Sequence, residues 1–391
     1  MVPFLGRIII EGGVVAVGDG RVLDGASVVI DRGLVSELWE DGRRLSPGPS
    51  DQRIDADGRL VTPGLVDSWM LLPEPRERAA AHLADAVLTG TTSVVAIVGS
   101  SSAADIVGFI ERLGVRTILG VEGGLEEPSD ASDTISRLSR QLSGRGVFWM
   151  PALAAGNMAR WSDDRLRVTM EAHVAGIRRP LPRLIAAAAD ENELRDNYEQ
   201  FSCRPVERLR RLGLLGPRTL IGHGNLLDSE EMDALVKTGA WLVSCPRSAL
   251  RSGHVPLLER MRAKGGNVAL GTGDAGPGPL SEIAALSAGM RAGLSPRTSV
   301  AVDALKGGAS LVGSLLDAPL GLLVPGALAD VVVHRWRPSW PIDGGSWMSG
   351  LDGVLGADWV IVGGRIVLRE GRLLGVDLAA LSRAARRHGM L

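Results

Sequence analysis

The sequence predicts an α/β fold: a (β/α)8 TIM-like barrel with a small β-sandwich domain built from both chain ends. Three observations point to it. Eight short apolar runs rich in β-branched residues alternate with helical stretches between residues 61 and 327. Short strands broken by glycine turns precede them in residues 1–60, and strands of the same kind return in residues 328–391. The 391 residues suffice for one large barrel and an accessory β-domain.

In chain order, Ile8–Ile10, Val14–Val17, Ala26–Ile30 and Leu34–Leu38 read as strands, with Gly-Gly, Asp-Gly and Arg-Gly pairs between them as hairpin turns. The barrel strands are expected at Leu65–Val66, Ser93–Val98, Arg116–Val121, Val147–Met150, Arg183–Ala187, Thr219–Gly222, Trp241–Ser244 and Asn267–Leu270. A doubly wound open sheet is the alternative for this alternation. Asp330–His334, Trp359–Val362 and Arg365–Leu368 are too few for a sheet of their own, so they are expected to pair with the N-terminal strands. Leu378–Arg387 has helical composition, with Arg383, Arg386 and Arg387 near the end where the helix dipole favours cations.

Lys+Arg 43 against Asp+Glu 45 gives a formal charge of −2, without the basic excess of a nucleic-acid or anionic-membrane surface. Two cysteines, Cys203 and Cys245, make neither a disulfide framework nor a Cys-rich zinc site, which suits a reducing compartment. A cytoplasmic protein with no membrane span and no signal peptide is expected. The six histidines are His82, His173, His223, His254, His334 and His388, and no two are spaced His-x-His or His-x-x-x-His. One strand or one helical turn therefore cannot supply two imidazoles to a metal.

Several segments together resemble the amidohydrolase superfamily, and the middle of the chain resembles its deaminase and chlorohydrolase branch, which includes guanine deaminase. Gly58–Ser68 is similar to the run into the first barrel strand, Gly326–Val333 to the exit segment, and Gly363-Gly364-Arg365 to the closing hairpin. Ser162-Asp163-Asp164 opens the fourth helix. Leu220–Asn225, Ser244–Ser248 and Leu270–Asp274 are similar to the sixth, seventh and eighth strands.

The resemblance implies a C–N hydrolase whose divalent metal lowers the pKa of a bound water. It implies ligands from a His-x-His after strand one, a His on strand five and an Asp on strand eight, with a sixth-strand His facing the substrate. This sequence departs from that pattern. Trp69-Met70-Leu71 stands where His-x-His belongs, and Ala187-Ala188-Ala189-Asp190 where His-x-x-Glu belongs, with the register open within Ala186 to Ala189. His223 is kept, while Gly273 takes the aspartate's place and Asp274 is displaced by one. No metal or other cofactor is expected, the family's zinc or iron site being lost.

Individual residues carry two readings each. His223 is either a hydrogen-bonded relic or an acid/base at the barrel mouth, with Asp274 as partner or as a solvated loop carboxylate. Trp69 either plugs the space of the metal or forms a stacking wall. Arg247 and Ser248 are candidates for binding a ligand anion, or a surface pair, and Glu122 is a further binding candidate. Cys245 is read as structural. His173 is assigned to the helix before strand five rather than to a ligand set.

The expectation is a small-molecule-binding or regulatory pseudoenzyme with no nucleic-acid or membrane partner, assembled as a homodimer. The alternatives are a metal-independent enzyme using His223 and Asp274 on a small cyclic or carboxylated substrate, and a rebuilt oxygen-rich metal site from Asp67, Asp190, His223 and Asp274.

Overall fold

Alternating β-branched runs and helical stretches build two separate sheets. The computed structural model describes residues 6–40, 48–123, 129–142, 149–172, 177, 179–274, 276–291, 298–339, 342 and 356–387. The N-terminal strands are β1 (Ile8–Ala16), β2 (Val22–Asp31), β3 (Leu34–Trp39), β4 (Gln52–Asp55) and β5 (Leu60–Pro63). The runs at Ile8 and Val14 form one strand, because register shifts on either side of Gly13 carry β1 past the expected turn. The mostly polar β4 was not legible as a strand. It pairs in parallel with β1, and Arg53 pairs with the buried Glu11 carboxylate.

The barrel strands are β6 (Leu65–Leu71), β7 (Thr91–Gly99), β8 (Arg116–Glu122), β9 (Trp149–Ala155), β10 (Arg183–Ala187), β11 (Thr219–His223), β12 (Trp241–Ser244) and β13 (Asn267–Leu270). They pair in chain order, all parallel, in a nearly closed eight-stranded sheet surrounded by helices. Trp69, Val95, Ile97, Ile118, Ala152, Ala154, Leu184, Leu220, Val243, Cys245 and Ala269 form one buried cluster across it.

Between strands run α1 (Arg76–Leu88), α2 (Ala103–Leu113), α3 (Ser129–Leu142), α4 (Asp163–Met170), α5 (Glu191–Phe201), α6 (Pro205–Arg211), α7 (Ser229–Thr238), α8 (Pro246–Arg251), α9 (Leu258–Ala263), α10 (Pro279–Arg291) and α11 (Thr298–Leu316). Ser162 Oγ accepts from the Arg165 N–H to open α4, and Asp228 with Glu231 forms a capping box on α7. His173 lies outside the described residues.

After the barrel come β14 (Val331–His334), β15 (Ala357–Val362), β16 (Arg365–Arg369), β17 (Arg372–Leu373) and α12 (Leu378–Arg387). The sheet order is β17-β16-β15-β14-β5-β1-β2-β3, with β4 on β1, so the chain ends share one nine-stranded mixed sheet. They meet where Val61–Pro63 pairs antiparallel with Val331–Val333. Ile8, Ile10, Val28, Ile54, Val61, Val331 and Ile361 belong to its own apolar cluster.

One buried ion pair joins the two sheets. Arg116 Nη2 lies 2.8 Å from Asp330 Oδ1 and Nε 3.1 Å from Oδ2, and the Gly363 N–H donates to the same carboxylate. No helix among the described residues is long and apolar enough to cross a membrane.

Candidate functional site at the barrel mouth

The C-terminal end of the barrel is shaped by how β6 meets β13. Leu71 N–H donates to Gly273 O and Gly273 N–H donates to Trp69 O, each at 2.8 Å, closing the seam. Below it, Asp67 accepts from Thr272 Oγ1 at 2.7 Å, from Thr272 N–H at 3.1 Å and from Trp69 N–H at 3.2 Å. β6 shifts register between Asp67 and Met70. Complete burial pushes the Asp67 carboxyl up to about 6, opposed by these hydrogen bonds.

The Trp69 side chain turns into the barrel. A Cβ at Gly222 would lie 2.4 Å from its indole, and one at Gly271 would lie 2.4 Å from its own Cβ. Glycine on β11 leaves room for this ring, and glycine just beyond β13 leaves room for the Trp69 backbone. The indole is 1% exposed and its Nε1 has no hydrogen-bond partner. It meets the His223 ring edge-on, with centroids 6.3 Å apart and planes at 74°.

His223 ends β11 with φ +65°, and Ala188, just after β10, has φ +53°. Side chains rarely adopt this left-handed backbone, and such strain clusters at functional sites. Burial lowers the His223 pKa from its ordinary value, with Asp274 and Asp190 opposing the shift. Burial therefore favours the neutral imidazole over the charged one.

Around these rings lies a cavity of about 250 Å³. Trp69, Leu71, Ile97, Ala155 and Ala186 give it apolar walls; Glu122, Asn157, Asp190, Glu193 and His223 give it polar ones. Glu122 Oε1 accepts the Gly156 N–H at 2.7 Å, and Asp190 caps α5 by accepting the Glu193 N–H at 2.9 Å. Glu193 Oε2 accepts the Ala189 N–H at 2.8 Å, while its Oε1 is buried without a partner. Burial, with Asp190 and Glu231 nearby, pushes the Glu193 carboxyl up to about 7. Sequence reasoning missed Glu193; its one signal was a Glu three residues after the cap Asp190. A larger cleft of about 620 Å³ opens by Trp149, Pro180, Arg218 and Asp317, at the N-terminal ends of the strands, away from the mouth where barrel chemistry sits.

Three of the sequence candidates lie apart from this cavity or from one another. Asp274 is not hydrogen-bonded to His223 among the described residues; it faces solvent and pairs with Arg251 at 2.7 Å. Arg247 and Ser248 do not line the cavity. Arg247 donates to Gly276 O and, at 2.9 Å, to Ser281 Oγ, while its backbone N–H binds Glu282 Oε2, so it straps α8 to α10. Asp67, Asp190, His223 and Asp274 do not converge either, because Asp67 is held by Thr272 and Asp274 by Arg251. Trp69 and Glu122 do line the cavity with His223. Cys245 is fully buried, and burial raises its thiol pKa well above the usual value.

Among the described residues, the donors at this mouth do not fit the hydrolytic metal that the resemblance implies. A Cβ on Gly273 would lie 3.6 Å from His223 Cε1, so the position that could set a carboxylate beside this imidazole carries no side chain. Trp69 and Leu71 offer apolar surface, and Ala187 is buried without a donor. Among the described residues, no three His, Cys, Asp or Glu side chains gather in a way that could hold a metal ion.

Proteins similar to this chain in sequence and fold are known. The chain is 28% identical over 404 residues to the 5'-deoxyadenosine deaminase of Methanothermobacter thermautotrophicus, covering 86% of this chain and 90% of that one. It is 27% identical over 428 residues to the 8-oxoguanine deaminase of Pseudomonas aeruginosa, covering 92% and 93%. In fold it matches a zinc-bound adenosine deaminase from Xanthomonas campestris with a TM-score of 0.82, at 20% identity and 97% coverage of both chains. No family model matches the chain. In sequence and in fold the chain is thus similar to the deaminases and chlorohydrolases of the amidohydrolase superfamily.

Proposed function

We propose that this chain is an amidohydrolase-fold protein that has given up metal-dependent hydrolysis and keeps its barrel mouth as a small-molecule binding pocket. The relatives are C–N hydrolases by name, which supports that ancestry and a small-molecule ligand. One observation carries the departure from them: the Trp69 indole, packed against Gly222, takes up the space beside His223. Two residues on, Leu71 gives the same mouth a second apolar wall.

In this reading Trp69 is both plug and wall, His223 is a neutral hydrogen-bonding group, and Glu122 and Glu193 face the ligand. No step passes through a metal. The cytoplasmic homodimer, and the division into units at 1–60 with 328–391 and 61–327, belong to the same proposal.

A turnover assay tests it. With 5'-deoxyadenosine or 8-oxoguanine and added zinc or iron, no ammonia release above background is expected. Sustained release that depends on added metal and is lost in His223→Ala contradicts the proposal.

A further inference from the structure

The mouth cavity has a charge pattern that its relatives' names do not announce. Three carboxyl side chains, those of Glu122, Asp190 and Glu193, border it, and no Lys or Arg does. Among the described residues none of the three is in an ion pair, although this chain pairs acidic groups with arginine widely elsewhere. One buried acceptor on a lining side chain also lacks a partner: Glu193 Oε1, on a residue 3% exposed. Leaving a buried acceptor unsatisfied costs about 1–3 kcal/mol, so a pocket retaining one is set up for a donor that arrives with the ligand.

We propose that the pocket binds a small organic cation, an amine or amidine with an apolar body, whose N–H groups are received by Glu193 and Glu122. The inference rests on the reading of the mouth as a binding pocket and deepens it by assigning the ligand's charge. The apolar body lies on Trp69, Leu71 and Ile97, and the cavity admits a body the size of one substituted ring. A carboxylated ligand is disfavoured twice: it meets uncompensated carboxylates, and Arg247, the one cation expected to receive it, is committed to Gly276 and Ser281. An unprotonated Glu193 gains a countercharge from such a ligand, and with Glu122 beside it the pair discriminates against neutral isosteres.

Calorimetric titration of the full chain at pH 7.5 with benzylamine, benzyl alcohol and benzoate tests this, since the three share a ring and differ in charge. Benzylamine is expected to bind in the millimolar range or tighter, at least about tenfold more tightly than the other two. Glu193→Gln and Glu122→Gln, each with an unchanged melting temperature, are expected to weaken benzylamine about tenfold and to leave benzyl alcohol unaffected. Equal binding of benzylamine and benzyl alcohol, or preference for benzoate, overturns the charge assignment while the pocket reading stands. If none of the three binds, the pocket reading itself fails, and the assignment with it.

Discussion

Trp69 and His223 meet edge to face at the mouth of the barrel, with ring centroids 6.3 Å apart and planes at 74°. This contact sits where the fold's relatives, by resemblance, place an imidazole and its metal. An aromatic pair of this geometry contributes about 0.5–1.5 kcal/mol beyond its buried area. Room for the ring comes from Gly222, and Gly271 lets the chain after β13 approach the Trp69 backbone and Cβ.

Trp69→Ala is expected to cost about 3–5 kcal/mol, as buried Trp truncations do, read from the denaturant midpoint. Gly222→Ala is expected to cost about 1–3 kcal/mol by driving a Cβ into the indole. In the Trp69→Ala background that second cost should largely vanish, because the atoms it strikes are gone. Additive losses would mean that the ring does not lie on Gly222.

Asp67 gives the fold a pH dependence of definite sign. Its folded pKa, about 6, lies above the ordinary 3.8, so its contribution is complete below about 3.8 and is lost as pH rises to about 6. The loss amounts to about 3 kcal/mol at neutral pH. Asp67→Asn keeps an oxygen for the Thr272 and Trp69 N–H groups and offers an NH2 to Thr272 Oγ1. Melting curves of this variant should lack that slope and lie at or above the parent at pH 7.5.

Removing the Asp330 carboxylate takes from the buried Arg116 the partner that links the barrel to the mixed sheet. Asp330→Ala is expected to destabilise by about 3–5 kcal/mol. Thermal unfolding followed by far-ultraviolet circular dichroism measures it; a change below about 1 kcal/mol would show that the pair does not hold the two sheets together.

The imidazole of His223 should titrate below its ordinary 6.5, because burial outweighs the nearby Asp274 and Asp190. Its contribution to stability is then present above about 6.5 and lost as pH falls through the lowered value. The His223 Cε1–H resonance followed against pH, and assigned with His223→Asn, checks this. A midpoint above 6.5 would contradict a desolvated ring.

Much of the fold was written in short-range pattern. Arg183–Ala187, Thr219–His223, Trp241–Ser244 and Asn267–Leu270 are continuous apolar runs, as strands covered on both faces must be. The polar β4, and β17 with two residues, escaped because their partners, not their own hydrophobicity, make them strands. At the site, Trp69, Glu122 and His223 were legible because motif position and strand ends locate the mouth. Arg247 and Asp274 were misplaced because a strand-end charge can turn outward, and only the positions of Ser281 and Arg251 decide that it does. Glu193 was invisible because its chemistry comes from burial, which a cap pattern on a helix does not reveal.

Metal content bears most directly on the account. Protein purified without chelators and analysed by inductively coupled plasma mass spectrometry is predicted to carry well under about 0.1 zinc, iron or manganese per chain, because Trp69, Leu71 and Gly273 offer no donors. About one such ion per chain, lost together with a fold-neutral substitution at His223, would contradict it.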